Sequence, residues 1–255
     1  MKKQFFDKWA FPFLSVCFWI GVWWVAALIL NKPLLLPTPW RVLCKLFSLV
    51  ATASFWQAVG TSLLRIAGGI LAALLLGTLL ALATTGVRLL HHLFSPLLSL
   101  CKSTPVAAVI FLLMLFLGRQ NVPFFITLTV ATPIVWGNVR AGLGAVDLRL
   151  LEMGRVFGLS RSHMLLHVCL PMLRPYFRAA CLSAIGLAFK AGIAAEILCL
   201  PAGSIGNLIY ESKLYLHTEE LFAYTLTVIL ISAAIERITL LLLKRAEQKR
   251  EVYHA

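Results

Sequence analysis

The sequence predicts an all-α polytopic membrane protein with six transmembrane helices. Three observations carry that expectation. The chain has 255 residues, of which 60% are hydrophobic and 13% charged, with a mean hydropathy of +0.90. A soluble domain is about half apolar and a quarter charged, and one this apolar would expose large patches and aggregate. The apolar residues come in runs of about 20, the length of a helix crossing a bilayer. Finally, the lysines and arginines segregate onto alternate connections, as in proteins that span membranes.

The net charge of +13 raises nucleic acid as a partner. No soluble module carries a basic face, so the excess is read as a mark of cytoplasmic loops. The six cysteines show no CxxC or Cys/His metal spacing and sit mostly in apolar runs, as small core residues do. Cys44 and Cys199 are both expected outside, which leaves a disulfide between them open.

The first span is residues 11–30, behind the basic head MKKQFFDKWA. A cleaved signal peptide would have a shorter apolar core and an A-x-A site, so this span is read as retained, with Lys2, Lys3 and Lys8 inside. Pro33, Pro37 and Pro39 then break helix. Thr38 is a candidate N-cap with Pro39 at the first helical position. Val42, Leu46, Leu49 and Val50 share a face of the helix that follows, which is expected to lie on the outer surface. A membrane hairpin there would have to bury Arg41 and Lys45.

The second span is residues 58–83, with Arg65 at its outer boundary and Gly68, Gly69 and Gly77 permitting close helix approach. Arg88, His91, His92 and Lys102 mark the return inside. Pro96 and Pro105 are expected to interrupt the next apolar stretch, giving a short inner helix and then a span over 105–117. Broken spans line cavities, where unsatisfied backbone is tolerated. The fourth span is 123–142, with Pro133 in its middle. The fifth is 177–200 and carries Lys190 and Glu196, both costly in lipid. The sixth is 221–243. On this topology sixteen of the 23 lysines and arginines lie inside and six outside, with Lys190 in the membrane. Both termini are then cytoplasmic. The whole chain, 1–255, reads as a single transmembrane domain with its core at 56–243.

The connection at 147–175 is polar and far too long for a turn. Within it, Glu152-Met153-Gly154 is followed by Gly158-Leu159-Ser160 and, with nine residues between Gly158 and Val168, by Val168-Cys169-Leu170-Pro171. This spacing resembles the EAA loop of ATP-binding-cassette (ABC) importer permeases: Glu-Ala-Ala, three residues, Gly, nine residues, Ile-x-Leu-Pro. Met153 and Gly154 replace the alanines, and Val168 the isoleucine. Small residues on one face would let a protruding helix, about 150–159, sink into a cleft on a soluble partner. Gly158 would end it, and Leu170-Pro171 would stop a second helix. Glu152 would meet a basic group of the partner or brace the loop.

Further pieces resemble the nitrate, sulfonate, taurine and bicarbonate branch of these permeases. They are Leu36-Pro37-Thr38-Pro39, the run from Thr61 to Gly68, Ser103 to Ala108, Phe116-Leu117-Gly118, Ala194-Ala195-Glu196 and Gly203-Ser204-Ile205-Gly206. The resemblance implies a type I ABC importer permease-like fold in a bacterial-type inner membrane. It also implies a permease homodimer, two cytoplasmic ATPases and an extracytoplasmic solute-binding protein. The chain has no GxxxxGK[ST] loop, so it is not expected to be an enzyme. It would hold no cofactor or metal of its own, with ATP and magnesium on the partner. Pro105, Thr132, Pro133, Asn138, Lys190 and Glu196 are candidates to line the pore. A sulfonate, nitrate or taurine-like anion is one possible solute; aromatic or thiamine-precursor-like solutes stay open.

Two other classes were weighed. An intramembrane enzyme would need paired aspartates, a His-Glu-x-x-His helix or a Ser/His set within the spans; Asp7 and Asp147 are the only aspartates, and both lie outside the bilayer core. A non-pumping scaffold or receptor would not require the loop spacing.

Overall fold

The apolar runs fold as helices, and prolines set where several of them begin or bend. In the computed structural model the backbone is described for residues 2–251. The side chains of residues 1–10, 12, 13, 148, 155, 161, 162, 165, 166 and 245–255 lie outside the described set. Of the charges assigned inside, Lys2, Lys3, Lys8, Arg155, Arg161, Arg245, Lys249 and Arg250 therefore lie outside the described residues.

Helix α1 (Lys2–Leu30) runs to the short loop before α2 (Pro39–Val50), and α3 (Ala53–Gly86) follows. α4 (Arg88–Ser103) and α5 (Val106–Phe116) are bent 109° to each other across Thr104-Pro105. The residue before a proline is pushed out of the α region, and Thr104 is extended, with ψ 132°. α6 (Val122–Gly144) returns to the first side, and α7 (Leu148–Val156) and α8 (Arg161–Met164) form the polar connection. A π-helical turn (Leu165–Cys169) then leads into α9 (Leu170–Cys199), followed by α10 (Ile205–Leu214) and α11 (Thr218–Glu251).

Among the described residues, four helices are long and apolar enough to cross a membrane, or five with the bent α4–α5 pair. The remaining expected span is α1, whose described apolar part, Leu14–Leu30, is shorter than the others. Pro96 was expected to interrupt the chain, but α4 continues through it. Thr38 precedes α2 with extended backbone yet makes no side-chain cap bond; Pro39 alone opens that helix. On α2, Val42 is buried and Leu46 and Leu49 are half-buried, whereas Val50 is exposed.

α6 lies between α3 and α9, buried on both sides. Stripes of small residues bring the three backbones together. Gly69, Ala73, Gly77 and Ala81 repeat every fourth position on α3, and Ala180, Ala184, Ala188 and Gly192 do so on α9; all eight are buried. A Cβ at Gly69 would stand 2.5 Å from the Phe124 carbonyl oxygen, and one at Gly77 would stand 2.9 Å from that of Thr132. Packing of this kind replaces the hydrophobic drive that lipid does not supply between helices. Gly68 was grouped with these glycines, but a Cβ there would make ordinary contact at 3.4 Å with the Phe124 ring. Leucines such as Leu64, Leu71, Leu75 and Leu115 point outward, as lipid-facing residues do.

At the α2 end, Arg41 pairs with Glu219 at 3.6 Å and Lys45 with Glu220 at 2.9 Å. These pairs tie α2 to the start of α11, which accounts for the two cations that a membrane hairpin would have buried. The six cysteines are free thiols: Cys44 is exposed on α2, and Cys199 is buried beside Ile110, Ile126 and Ala195.

Candidate functional site

The polar connection folds as a small helical hairpin. Asp147 accepts the Arg149 N–H at 2.9 Å and so opens α7. The helix ends at Val156, and Gly158 takes a φ of +70°, a left-handed conformation that favours glycine. The Leu159 N–H reaches back to the Gly154 carbonyl at 2.9 Å and closes the turn. Ser160 then accepts the His163 N–H at 3.3 Å and starts α8.

Gly154 is buried, and a Cβ there would meet the Met164 sulfur at 2.9 Å. The small residue thus serves packing of α7 on α8 inside the loop, rather than entry into a partner's cleft. The outward surface of the hairpin is apolar: Met153 is exposed, as are Val156, Phe157 and Leu159. With Leu150, His167, Val168, Pro171 and Met172, most of these residues line a shallow cavity of about 520 Å³. Glu152 is exposed, and no described residue lies within hydrogen-bonding or ion-pairing reach of it. Leu170-Pro171 does not stop a helix. Pro171 is the second residue of α9, just after the π turn, and the chain runs helically from α8 through that turn into the fifth span. The candidate span here is His167–Cys199, which starts earlier than the expected 177.

A model of the family described as the binding-protein-dependent transport system inner membrane component matches residues 69–251, a stretch that contains this hairpin. The chain belongs to this family. It is 28% identical over 225 residues to the taurine transport system permease protein TauC of Escherichia coli, covering 85% of this chain and 81% of that one. The bicarbonate transport system permease protein CmpB of Synechococcus elongatus is 32% identical over 162 residues, 62% of this chain and 57% of that one. The nitrate import permease protein NrtB of the same species is 28% identical over 217 residues, 79% of this chain and 77% of that one. These relatives fall in the branch that the ordered sequence pieces resemble. Among solved structures, a bacterial ABC transporter involved in the import of the acidic polysaccharide alginate superposes with a TM-score of 0.65. It is 15% identical and covers 95% of this chain and 96% of its own. At that identity the likeness is one of fold.

Toward the other end of this permease, α9 carries a buried polar cluster. Glu196 is fully buried. Its Oε2 accepts the Ser62 hydroxyl at 2.7 Å and the Gly206 N–H at 3.3 Å, while Oε1 lies 3.6 Å from Arg65 Nη1. Ser62 Oγ in turn accepts the Ile205 N–H at 3.0 Å. Arg65 also donates to Gln120 and to the Ala202 carbonyl. Leu200, with a φ of 54°, ends α9 in the left-handed region, and the short loop after it brings the N-terminus of α10 onto the Glu196 carboxylate. A Cβ at Gly206 would stand 2.3 Å from Glu196 Cβ, so only glycine fits.

Sequence reasoning placed Arg65 at the boundary, where it would reach for water, and missed Ser62, Gln120 and Gly206. One signal was available: Ser62 and Arg65, three apart, share a helix face in a segment with no carboxylate of its own. Of the other candidates, Thr132 and Pro133 are buried against α3, and the Thr132 hydroxyl donates to the Leu128 carbonyl at 2.7 Å. Asn138 is half-buried and donates to the Ile134 carbonyl at 2.9 Å. Pro105 is exposed at the bend. Lys190 and Glu196 occupy different faces of α9; Lys190 is exposed together with Ser183, Leu187, Ala194 and Leu198.

Proposed function

We propose that this permease forms the translocation pathway of an ATP-driven importer for a small anion, of the sulfonate, nitrate, taurine or bicarbonate kind. The observation that carries the reading is Lys190. It lies well inside a membrane-spanning helix, is exposed on a face of small and apolar residues, and has no described carboxylate partner. An ammonium facing lipid at that depth costs at least about 2.5 kcal/mol. Facing a water-filled path formed with a second copy, it avoids that cost and attracts anions. On this reading the Lys190 face of α9, with Pro105 and Asn138, lines the path, while Thr132, Pro133 and Glu196 shape it from behind.

The subunit works as a homodimer with two cytoplasmic ATPases, which bind ATP and magnesium, and an extracytoplasmic binding protein. Both termini and the α7–α8 hairpin are cytoplasmic, and Met153, Phe157 and Glu152 meet the ATPase. ATP closure of the ATPase pair moves the hairpins and opens the path outward; hydrolysis returns it. This is a two-state element biased by a ligand at a distance.

The test is import by reconstituted transporter, with the solute found by thermal shift of the cognate binding protein. Lys190→Gln is expected to lower import of an anionic solute at least about tenfold, the effect of roughly 1.4 kcal/mol, with Lys190→Arg retaining most of it. Unchanged import in Lys190→Gln overturns the anion reading. An ATPase that still co-purifies with Gly158→Arg and pumps normally overturns the hairpin as the docking site.

A further inference from the structure

Where α3 ends, α4 begins and α6 approaches its last turns, an open cavity of about 410 Å³ is lined by Thr84, Thr85, Arg88, His91, Trp136 and Arg140, among others. Three features make it a built site. Its floor is fixed: Trp136, almost fully buried, donates from Nε1 to Thr84 Oγ1 at 2.9 Å. A guanidinium and an imidazole ring are held over that floor. The Arg140 guanidinium lies 5.5 Å from the Trp136 ring centroid, and the His91 ring stacks on the same indole at 6.2 Å. Lys102 reaches the rim, since a Cβ on the lining residue Gly137 would lie 3.3 Å from its Nζ. Among the described residues no carboxylate pairs with Arg88, Lys102 or Arg140, and the buried His91 Nδ1 has no hydrogen-bond partner.

Two guanidinium groups lining one cavity, with an ammonium at its rim and no described counter-charge, suit an oxyanion, and guanidinium forks match phosphate geometry. The setting favours one source. α4 buries Leu98 and turns Leu89, Leu93, Leu97 and Leu100 outward. That stripe lies on the face of α4 opposite Arg88 and His91, and it sets the helix, with the cavity behind it, at the lipid boundary. Basic pockets between spans on the cytoplasmic side bind lipid head groups. We propose that this cavity is a binding site for the phosphate of an acidic phospholipid, seated between Arg88 and Arg140 with Lys102 at the rim. The inference does not depend on the solute or on the ATPase.

The experiment uses the full-length chain in nanodiscs of phosphatidylcholine alone or with 30 mol% phosphatidylglycerol, at constant ionic strength. Thermal unfolding is followed with and without inorganic phosphate. Phosphatidylglycerol is expected to raise the unfolding temperature. Arg88→Gln and Arg140→Gln should each lose at least half of that rise, Arg140→Lys should recover part of it, and Lys244→Gln, outside the cavity, should keep it. A rise with inorganic phosphate in neutral nanodiscs, lost in Arg140→Gln, keeps the oxyanion site but assigns it to a free anion and overturns the lipid. Equal responses of wild type and both arginine variants in both arms overturn the site. If Arg140→Gln does not fold, the exposed Arg88 variant is read by native mass spectrometry, where loss of a retained acidic lipid supports the site and full retention overturns it.

Discussion

The Arg65–Glu196 pair makes a prediction whose sign separates two accounts of a buried charge. At 3.6 Å the attraction between unit charges is about 5 kcal/mol if the effective dielectric constant is about 20, and desolvation offsets most of it. The two partners are not equivalent. The Glu196 side chain is 0% exposed and the Arg65 side chain 21%. Arg65→Gln strands a carboxylate that keeps only Ser62 and Gly206 as donors, and breaking a buried pair in this way costs about 3–5 kcal/mol. Glu196→Gln leaves a guanidinium that still reaches Gln120, the Ala202 carbonyl and water, so its loss should be smaller. In the double variant no charge is stranded, and the glutamine oxygen still accepts from Ser62 and Gly206. Thermal unfolding of the purified chain in one detergent is the assay. Taking roughly 2–4 °C per kcal/mol for a chain of this size, Arg65→Gln should unfold about 10 °C below wild type. The double variant should recover more than half of that loss. A double variant that unfolds at or below Arg65→Gln refutes the reasoning, because the cluster would then be held by independent hydrogen bonds and not by charge compensation.

Helix α3 offers a contrast of sign within one element. A Cβ at Gly60 meets nothing within 4 Å, whereas one at Gly69 runs into the Phe124 carbonyl and Thr127. In the same unfolding assay Gly60→Ala should stabilise by about 0.5–1 kcal/mol through helix propensity, and Gly69→Ala should destabilise by about 1–3 kcal/mol or more through overpacking. In the hairpin, Gly154→Ala should be tolerated at a cost under about 1 kcal/mol, because the atom it meets is a flexible methionine sulfur. Gly158→Ala places a Cβ at positive φ for about 1–2 kcal/mol; import should fall while the unfolding temperature of the bundle barely moves.

Much of the architecture was legible because lipid imposes simple patterns. The fourth span was expected over 123–142 and runs Val122–Gly144, and the break before the third appears at Pro105, where sequence placed it. Gly158 was readable as a turn, since positive φ leaves few alternatives to glycine. What was not legible depended on relations between elements. Pro171 read as a stop because proline breaks helix interiors. Its place just after a π turn, within a continuous helical run, follows only from how α8 meets α9. Gly154 suggested an outward-facing helix surface, and its partner, Met164, lies across a turn whose closure no spacing rule predicts. Glu196 reads from sequence as a pore charge like Lys190, whereas its partners come from α3 and from the start of α10.

Those partners constrain where movement can occur on the proposed coupling route. α9 runs about 40 Å at 1.5 Å per residue, from the π turn beside the hairpin to Glu196. A push on the hairpin reaches the far end as motion of a rigid helix, because packed helices shift between discrete arrangements and do not bend continuously. At that far end Glu196 is joined to Ser62 and Arg65 of α3 and to Gly206 of α10, and the glycine contacts leave no slack between α3, α6 and α9. The three helices and α10 therefore move as one body. The looser seam is against α11, whose apolar window is almost wholly unburied. One contact across that seam is close: a Cβ at Gly186 would stand 3.1 Å from Glu236 Oε1. A disulfide between Gly186→Cys and Glu236→Cys should slow import reversibly with reductant. One between Ser62→Cys and Ile205→Cys, whose N–H already meets the Ser62 hydroxyl at 3.0 Å inside the rigid body, should leave the rate close to that of the same variant reduced. The opposite ranking would place the moving seam through the Glu196 cluster and make that cluster a gate instead of a lock.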